Sequence, residues 1–446
     1  MILRTLRALG LTLAVGLVLA SPSWADATAQ LSIEDGGVTL TDRPDAQAIV
    51  NSWRTQLGVD SVRIQAFWDQ ISREGWGRLD RGIALIRNAG LQPILTIHEK
   101  GPQFPARPSP AAFAAFAGAA AARYRNSVYY YTIGNEPNQG TFLTPQRIGG
   151  RPYSPHLYRA MVNAAYPAIK RADPSSLLMI GVMAPIGGTS GGANSVAPLQ
   201  FLREFACLDR ALHPMRTGFC AGFRPARGDA FAYHPYSIRY RLPPFARNTI
   251  PDLVNTGDLD KLFRVLNAAT RQHRIIAPGG RFNVYFTEYG YETRPPDPRF
   301  GFPPDVQSRF LQQAAYIAWK TPRVKMMNQY LYFDDPDFFQ HGSNVTFQTG
   351  IMFHNGTPKP ARASFPHPFY VDVRRPLSRA RARIWGQVRP GGATTVTVQY
   401  SPSCSAYSNI ATVRTNFRGY FAIIRAVRPG CYRFVGGGQV SDPQRL

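Results

Sequence analysis

Two glutamates stand at the ends of apolar, strand-like segments, where a carboxylate could act as an acid, a base or a nucleophile. Glu136 follows the aromatic and β-branched run YYYTI in the stretch YYYTIGNEPN. Glu288 ends a similar run in NVYFTEYG. A single acid in such a position is usually a surface residue or half of an ion pair. Two acids, each closing an apolar strand, suggest carboxylates that work together.

Cleavage of a glycosidic bond is the chemistry that needs such a pair. One protonated carboxyl donates to the departing oxygen while an ionised carboxylate attacks the anomeric carbon. A separation of about 5 Å is typical of the retaining route, and a wider gap is typical of the inverting route. Because the two groups must hold different protonation states, their surroundings must shift their pKa values apart.

The segments around the two glutamates alternate between strand-like and helix-like patterns. The strand-like segments are continuous apolar runs, as expected of parallel strands buried on both faces. The alternation predicts an α/β fold, a (β/α)8 barrel, with an open doubly wound sheet as the alternative. In a barrel, the carboxyl ends of the fourth and seventh strands would bring Glu136 and Glu288 to one mouth. Predicted strands lie near 30–35, 61–68, 91–100, 128–138, 177–185, 229–236, 283–293 and 324–335, and predicted helices at 79–90, 109–126, 154–173, 196–212, 259–274 and 302–322.

The motif GNEPN after one strand, followed by a later strand ending in TEYG, resembles the clan A glycoside hydrolases. These are retaining (β/α)8 enzymes, and families 5 and 39 are the most similar. The resemblance covers residues 30–362. It implies that Glu136 is the acid/base and that Glu288 is the nucleophile.

The same resemblance implies roles for five supporting residues. Asn135 matches the asparagine that bonds the sugar 2-hydroxyl, and Arg63 matches the arginine that supports the nucleophile. HPY at 234–236 resembles the sixth-strand His234 and Tyr236, with the tyrosine touching the nucleophile. His98, in TIHE, resembles a third-strand histidine near the first sugar subsite.

Several of these residues also have a purely structural interpretation. Arg63 could close a salt bridge in the core, and His98 and His234 could be hydrogen-bonded core residues. Trp68, just beyond the second strand, could stack on a sugar face or simply pack in the core.

The eighth strand departs from the pattern of the clan. Many relatives place a sugar-stacking tryptophan at its end, whereas this chain has NQYLYFDDP. Tyr330, Tyr332 or Phe333 must take that place. Nearby acids, Glu292 and the pair 334–335, are expected to be subsite or salt-bridge residues.

Residues 1–25 are typical of a secretion signal. Arg4 and Arg7 precede an apolar run, and Ser23 and Ala25 are the small residues of a cleavage site. An uncleaved anchor is the alternative. We therefore expect a secreted protein that keeps no membrane span after signal cleavage.

The four cysteines fall into two pairs that are local in the sequence. Outside the cell they are expected to form disulfides, Cys207 with Cys220 and Cys404 with Cys431. Three pairings are possible in principle. The chain has no CxxC or HxxxH spacing, so we expect no zinc site and no metal or organic cofactor.

The formal net charge is +24, which favours binding to acidic polymers such as acidic polysaccharide or cell-wall polymers. Solubility alone could also explain it. The basic residues are mostly scattered arginines without a Lys/Arg-rich run, so no nucleic-acid partner is expected.

From residue 365 the helical patterns give way to short alternating strands separated by Gly, Pro and Ser. This predicts three segments: a signal peptide 1–25, a barrel 26–364 and a small β-sandwich 365–446. The sandwich could bind carbohydrate or be a structural appendage.

Together these features predict a monomeric, secreted, retaining glycoside hydrolase that cleaves a β-linked poly- or oligosaccharide by double displacement. A non-catalytic glycan-binding protein and a basic cell-wall adhesion protein on the same scaffold are the alternatives. Their binding would weaken steeply with ionic strength if it depended on surface arginines.

Overall fold

The computed structural model describes residues 28–98, 108–237, 241–336, 346–373 and 381–446. The predicted signal peptide, 1–25, lies outside these ranges. Within them, no helix has the length and apolar character that crossing a bilayer requires.

Eight parallel strands close into a barrel in which every strand pairs with its sequence neighbours. The last strand also pairs with the first, with Gln30 opposite Met326 and Glu34 opposite Tyr330. This closure confirms the (β/α)8 prediction over the open sheet. The strands are Gln30–Glu34 (β1), Ser61–Phe67 (β2), Gln92–His98 (β3), Tyr130–Ile133 (β4), Leu177–Met183 (β5), Ala230–Tyr233 (β6), Val284–Phe286 (β7) and Val324–Tyr330 (β8).

Helices follow the strands and cover the outside of the barrel. Several begin with proline, whose fixed φ suits the first turn and whose missing N–H is not needed there. They are Gly36–Thr39 (α1), Ala46–Thr55 (α2), Trp68–Glu74 (α3), Gly77–Asn88 (α4), Pro110–Tyr124 (α5), Ser154–Ala172 (α6), Pro198–Phe205 (α7), Leu259–Arg271 (α8), Pro304–Lys320 (α9) and Pro360–Ser364 (α10).

Several elements are shorter than the sequence pattern predicts, among them the strands predicted at 128–138 and 324–335, which end at Ile133 and Tyr330. The helix predicted at 196–212 ends at Phe205, because Cys207 takes a left-handed φ of 49° and the chain turns into a disulfide loop. The strand predicted at 283–293 ends at Phe286. Glu288 therefore projects from the loop beyond the ladder.

The interior of the barrel changes character along its axis. Apolar side chains, including Ile94, Met179 and Met326, pack in its middle. Toward the carboxyl ends of the strands, Arg63 and Thr96 are fully buried polar residues joined by a 2.8 Å hydrogen bond. The barrel is therefore a packed core that carries a polar layer beneath its mouth.

Two antiparallel sheets enclose a second apolar core in the C-terminal region, which confirms the predicted all-β fold. One sheet has the order β9-β10-β13. The other has the order β12-β11-β14, with two short strands beside β14. The strands are Phe369–Asp372 (β9), Arg381–Gln387 (β10), Thr395–Ser401 (β11), Ser408–Arg414 (β12), Tyr420–Ala426 (β13) and Cys431–Gly436 (β14).

The C-terminal sheets pack against α9 of the barrel. Asp372 accepts hydrogen bonds from Tyr316 Oη at 2.6 Å and from Lys320 Nζ at 2.9 Å. The rings of Trp319 and Trp385 meet at 5.8 Å between centroids. These contacts lie on the side of the barrel, so the β-sandwich is joined to it by a buried aromatic and ionic interface.

Both predicted cysteine pairs are bonded in the structure. Cys207 and Cys220 have Cα atoms 5.7 Å apart, and Cys404 and Cys431 have Cα atoms 5.0 Å apart. The first closes the loop after α7, and the second ties β14 to the loop after β11. Two disulfides fit an extracellular protein.

Candidate active site

Glu136 and Glu288 come together at the carboxyl-terminal mouth of the barrel. One carboxylate oxygen of each and one ring nitrogen of His234 all lie within 4.8 Å of one another. The glutamates follow β4 and β7, and His234 follows β6. The structure thus brings three of the sequence-predicted site residues into one cluster.

The turn after β4 is strained where it presents Glu136. Gly134 has a φ of 79° and Glu136 has a φ of 41°, a left-handed conformation that a non-glycine residue rarely adopts. The Glu136 N–H donates to Val182 O at 2.8 Å, which holds the turn against β5. Such strain costs about 1–3 kcal/mol and persists only where the surroundings hold it, commonly at functional sites.

Asn138, the last residue of the GNEPN motif, has a structural role beside the glutamate. Its fully buried side chain donates to three backbone carbonyls of the loop after β5 and accepts from Ala184 N at 2.9 Å. The three carbonyls belong to Ala184, Ile186 and Val196. Asn138 is therefore a structural clamp that fixes the neighbouring loop at the mouth.

Arg63 is fully buried and joins four groups of the site. Its Nη1 donates to Glu34 Oε2 and to Glu288 Oε1, both at 2.5 Å. Its Nη2 donates to Asn135 Oδ1 at 2.7 Å, and its Nε donates to Thr96. Arg63 therefore does form a buried salt bridge, which was its structural interpretation. One of its two carboxylate partners is Glu288, the residue that the resemblance expected it to support.

Glu34 is a site residue that the sequence analysis missed. It ends β1 opposite Arg63 of β2 and also accepts from Gln65 Nε2 at 2.7 Å. Burial raises its pKa despite the adjacent guanidinium. The rule that found Glu136, an acid at the carboxyl end of a barrel strand, would have found Glu34 if it had been applied to the first strand.

The surroundings of Glu288 favour its ionised form. Burial alone would raise its pKa, but the electrostatic influence of His234 and Arg63 and the donated hydrogen bonds outweigh burial and leave the pKa below its usual value. One of these bonds comes from Tyr236 Oη, 3.1 Å from Glu288 Oε2. Tyr236 therefore contacts Glu288, the contact that the resemblance implied.

The surroundings of Glu136 favour its protonated form. Burial raises its pKa, and the nearby Glu288 charge adds to this, although His234 acts in the opposite direction. His234 Nδ1 lies 2.9 Å from Glu136 Oε1, and its Nε2 lies 3.0 Å from Thr287 Oγ1. Because the Glu136 side chain remains 17% exposed, it can reach a molecule in the mouth.

The two glutamates line a cavity of about 720 Å³. A second cavity of about 370 Å³ adjoins it, and four residues border both: Gln65, Phe67, Tyr330 and Asp335. Together they form one cleft of two adjoining parts at the barrel mouth. Predicted site residues on the wall of the larger cavity are His98, Asn135, Glu136, Tyr236 and Glu288.

Trp68, for which sugar stacking and core packing were the two interpretations, packs against aromatic rings of α5. Its ring stacks on Phe116 at 5.5 Å with an interplanar angle of 11°, and it meets Phe113 edge-on. It is not among the described residues that line either cavity. Packing is the role that the structure gives it, because α3 starts at Trp68 and turns it toward α5, while Phe67 faces the cleft.

Tyr330 is the aromatic residue at the end of β8 that faces the main cavity. Its ring stands edge-on to Tyr236 at 6.4 Å and to Phe347 at 5.5 Å. Tyr332 packs instead on the buried Trp53, and Phe333 lies under the Arg43 guanidinium. Of the three candidates, Tyr330 therefore has the position for stacking on a sugar.

His98 lies at the wall of the cleft between two aromatic rings. Its ring centroid is 5.0 Å from that of Phe67 and 5.4 Å from that of Phe142. Its side chain is nearly buried and lines the cavity. His98 can thus pack against the core and also contact a bound sugar.

The cluster of Glu136, His234 and Glu288 also has the ligand types of a metal site. The Arg63 guanidinium, 2.5 Å from Glu288, opposes a second positive charge at this carboxylate. The hydrogen bond from Tyr236 occupies its other oxygen. The residues present therefore fit a carboxylate pair better than they fit a metal centre.

Comparison with known proteins identifies the fold. The sequence matches no protein-family model and none of the curated proteins. The structure is similar to a family 39 glycoside hydrolase from Bacteroides cellulosilyticus WH2, with a TM-score of 0.52 and 14% identity over 93% of this chain and 82% of that one. This agrees, at the level of the fold, with the resemblance seen in the sequence.

Two further solved structures are more distant. Xylanase 10B from Thermotoga maritima has a TM-score of 0.48 and 12% identity, covering 75% of this chain and 93% of that one. A GH5_18 structure from Streptomyces cattleya, solved in complex with GlcNAc, has a TM-score of 0.49 and 14% identity, covering 76% and 78%. At such identities these similarities say nothing about the reaction of this chain.

Proposed function

We propose that this protein is a secreted retaining glycoside hydrolase that cleaves β-linked poly- or oligosaccharides. The observation that carries the proposal is the Glu136–Glu288 pair, whose carboxylate oxygens approach within 4.8 Å and whose pKa values are shifted in opposite directions. Retaining enzymes hold their carboxyl groups about 5–5.5 Å apart, whereas inverting enzymes need about 6.5–9.5 Å for a water molecule.

In the first step, Glu136 donates its proton to the glycosidic oxygen while Glu288 attacks the anomeric carbon. The bond to the leaving group breaks, and a covalent glycosyl ester forms on Glu288. Arg63 and Tyr236 keep Glu288 ionised and fix its orientation before the attack. Asn135, held by Arg63, is placed beside the reacting sugar.

In the second step, Glu136 removes a proton from water, and the resulting nucleophile releases the sugar with retained configuration. Ester formation neutralises Glu288, so the negative charge that helped to raise the pKa of Glu136 disappears. Glu136 then ionises more easily, which suits its change from acid to base.

The two-part cleft supports a chain-like substrate. Two adjoining cavities, with Phe67 and Tyr330 bordering both, offer room and aromatic surface for more than one sugar ring. The disulfides support an extracellular location, where such polymers occur.

The test is Glu288→Gln assayed on a panel of β-linked glycans, with Glu136→Gln beside it. Loss of one catalytic carboxylate should lower kcat by about 10³-fold or more while the protein stays folded. Asp305→Asn, on the exposed side of α9, is the matched control and should keep full activity. A 2-fluoro glycoside should label Glu288. Full activity of Glu288→Gln, or a label on another residue, would refute the assignment.

A further inference from the structure

The described walls of the cleft are acidic although the chain as a whole is strongly basic. Eight carboxyl groups line the two cavities, against three guanidinium groups from Arg43, Arg63 and Arg299. Arg63 is already committed to Glu34 and Glu288, and Arg43 pairs with the exposed Asp45. The eight acids are Glu34, Asp35, Glu136, Glu288, Glu292, Asp297, Asp334 and Asp335.

Three acids of the larger cavity are held by backbone amides instead of cations. Glu292 accepts from Gln348 N at 2.7 Å, Asp335 from Phe347 N at 2.8 Å and Asp297 from Arg299 N at 2.7 Å. Within the described ranges, no lysine, arginine or histidine nitrogen lies within 4.0 Å of their carboxylates. Their positions are therefore fixed without an ion pair, and burial raises the pKa of Glu292 and of Asp335.

Gln348 adds an unsatisfied amide to this wall. It is 1% exposed, and its backbone is fixed by the bond to Glu292 and by Lys359 Nζ, which donates to its carbonyl at 3.1 Å. Neither its side-chain nitrogen nor its side-chain oxygen has a hydrogen-bond partner in the part of the chain that the structure describes. A buried amide without partners is costly to a fold, which points to a ligand that completes its bonds.

We propose that Glu292, Asp335 and Gln348 form a subsite for an amino sugar with a free, protonated amine, so that the substrate is a β-linked glycan containing unacetylated hexosamine. This inference rests on the proposed function and names its substrate class. An ammonium has three donors and no acceptor, which suits carboxylate oxygens and an amide oxygen. A uronate carboxylate at the same place would oppose the ionisation of Glu292 and Asp335.

The protonation of Glu292 gives the subsite a measurable signature. Burial, with smaller contributions from Asp297 and Asp334, raises its pKa to about 8, although Gln348 N and Lys359 act in the opposite direction. At pH 7 the protonated form of Glu292 is therefore the favoured one. A cation bound beside Glu292 favours the ionised form, so binding should release a proton. A neutral sugar should release none.

The experiment measures binding to Glu288→Gln, which prevents turnover, by titration calorimetry at low salt. The probes are three β-1,4-linked tetrasaccharides, of glucosamine, glucose and glucuronate. The glucosamine tetramer should bind at least tenfold more tightly than the glucose tetramer, and the glucuronate tetramer most weakly. Repeating the titration at a pH below the pKa of the sugar amines, in buffers of different ionisation enthalpy, should show proton release for the amino sugar alone.

Variants made in the Glu288→Gln protein test whether the preference for the glucosamine tetramer depends on Glu292 and Asp335. Glu292→Gln and Asp335→Asn should each reduce the preference for the amino tetramer severalfold, and Glu292→Gln should abolish the proton release. Asp305→Asn, the exposed control on α9, should change neither. The proposal is overturned if the amino tetramer fails to bind, binds no better than glucose, or keeps its full preference in both variants.

The outcomes also separate this proposal from the proposed function. Selective binding of the amino tetramer without hydrolysis of any glycan by the wild-type protein would support the subsite and refute the enzyme. Hydrolysis that depends on Glu288 but occurs only on neutral or acidic glycans would support the enzyme and refute the subsite.

Discussion

Tyr236 offers a specific test of how the protein keeps the candidate nucleophile ionised. Its hydroxyl donates to Glu288 Oε2 at 3.1 Å, while its ring stacks on Tyr289 at 6.3 Å with an interplanar angle of 15°. Tyr236→Phe removes the hydroxyl and keeps the ring. The substitution therefore removes the hydrogen bond to Glu288 without leaving a cavity where the ring packs.

The size of the effect follows from the chemistry of that bond. A hydrogen bond to a charged group contributes about 1.5–3 kcal/mol, and one pKa unit corresponds to about 1.36 kcal/mol. The hydroxyl stabilises the ionised carboxylate, so its removal should raise the pKa of Glu288. The acid limb of the kcat/KM profile should move upward by about one to two pH units. Activity on the acid side of the optimum should then fall about tenfold or more.

The assay is the pH dependence of kcat/KM on a reactive aryl β-glycoside. Tyr291→Phe is the matched control, since Tyr291 is a fully buried tyrosine whose hydroxyl donates to Leu242 O at 2.8 Å, not to a glutamate. It should lower the melting temperature without moving the acid limb. An acid limb that stays in place in Tyr236→Phe, or moves downward, would refute the role given to this hydroxyl.

Two further predictions concern stability. The folded state holds a proton on Glu292 up to a pKa of about 8, above the value of an exposed glutamate, so this residue makes the fold less stable as pH rises from 4.5 to 8. Glu292→Gln should therefore raise the melting temperature at pH 9 relative to wild type and change it little at pH 4; an equal effect at both pH values would contradict this. Asp372→Asn weakens the bonds from Tyr316 and Lys320 and should cost about 1–3 kcal/mol in denaturant unfolding with kcat/KM unchanged. A loss of activity at full stability would show instead that the β-sandwich takes part in catalysis.

Much of the architecture was predictable because it depends on local patterns. Continuous apolar runs and amphipathic segments alternate along the chain, and they specify which residues form strands and which form helices. An acid directly after an apolar strand marks the carboxyl end of that strand. Glu136 and Glu288 could be found in this way, and the cysteine pairs could be found because their partners are close in sequence.

The contacts among side chains could not be predicted in this way. Arg63 and Glu288 are 225 residues apart. Glu34 lies opposite Arg63 because β1 pairs with β2, and both meet Glu288 because β8 pairs with β1 and closes the barrel. Phe67 and Trp68 are consecutive in the sequence, but the Phe67 side chain faces the cleft whereas the Trp68 ring packs on Phe116.

The sequence by itself determined the order of strands and helices and the two carboxylates at the ends of β4 and β7. Only the tertiary structure decided which groups surround each carboxylate, and hence the direction in which each pKa moves. It also gathered acids from distant loops into one cleft on a basic protein. The physical reason is that secondary structure follows from neighbours along the chain, whereas burial and electrostatic interactions depend on distances in space.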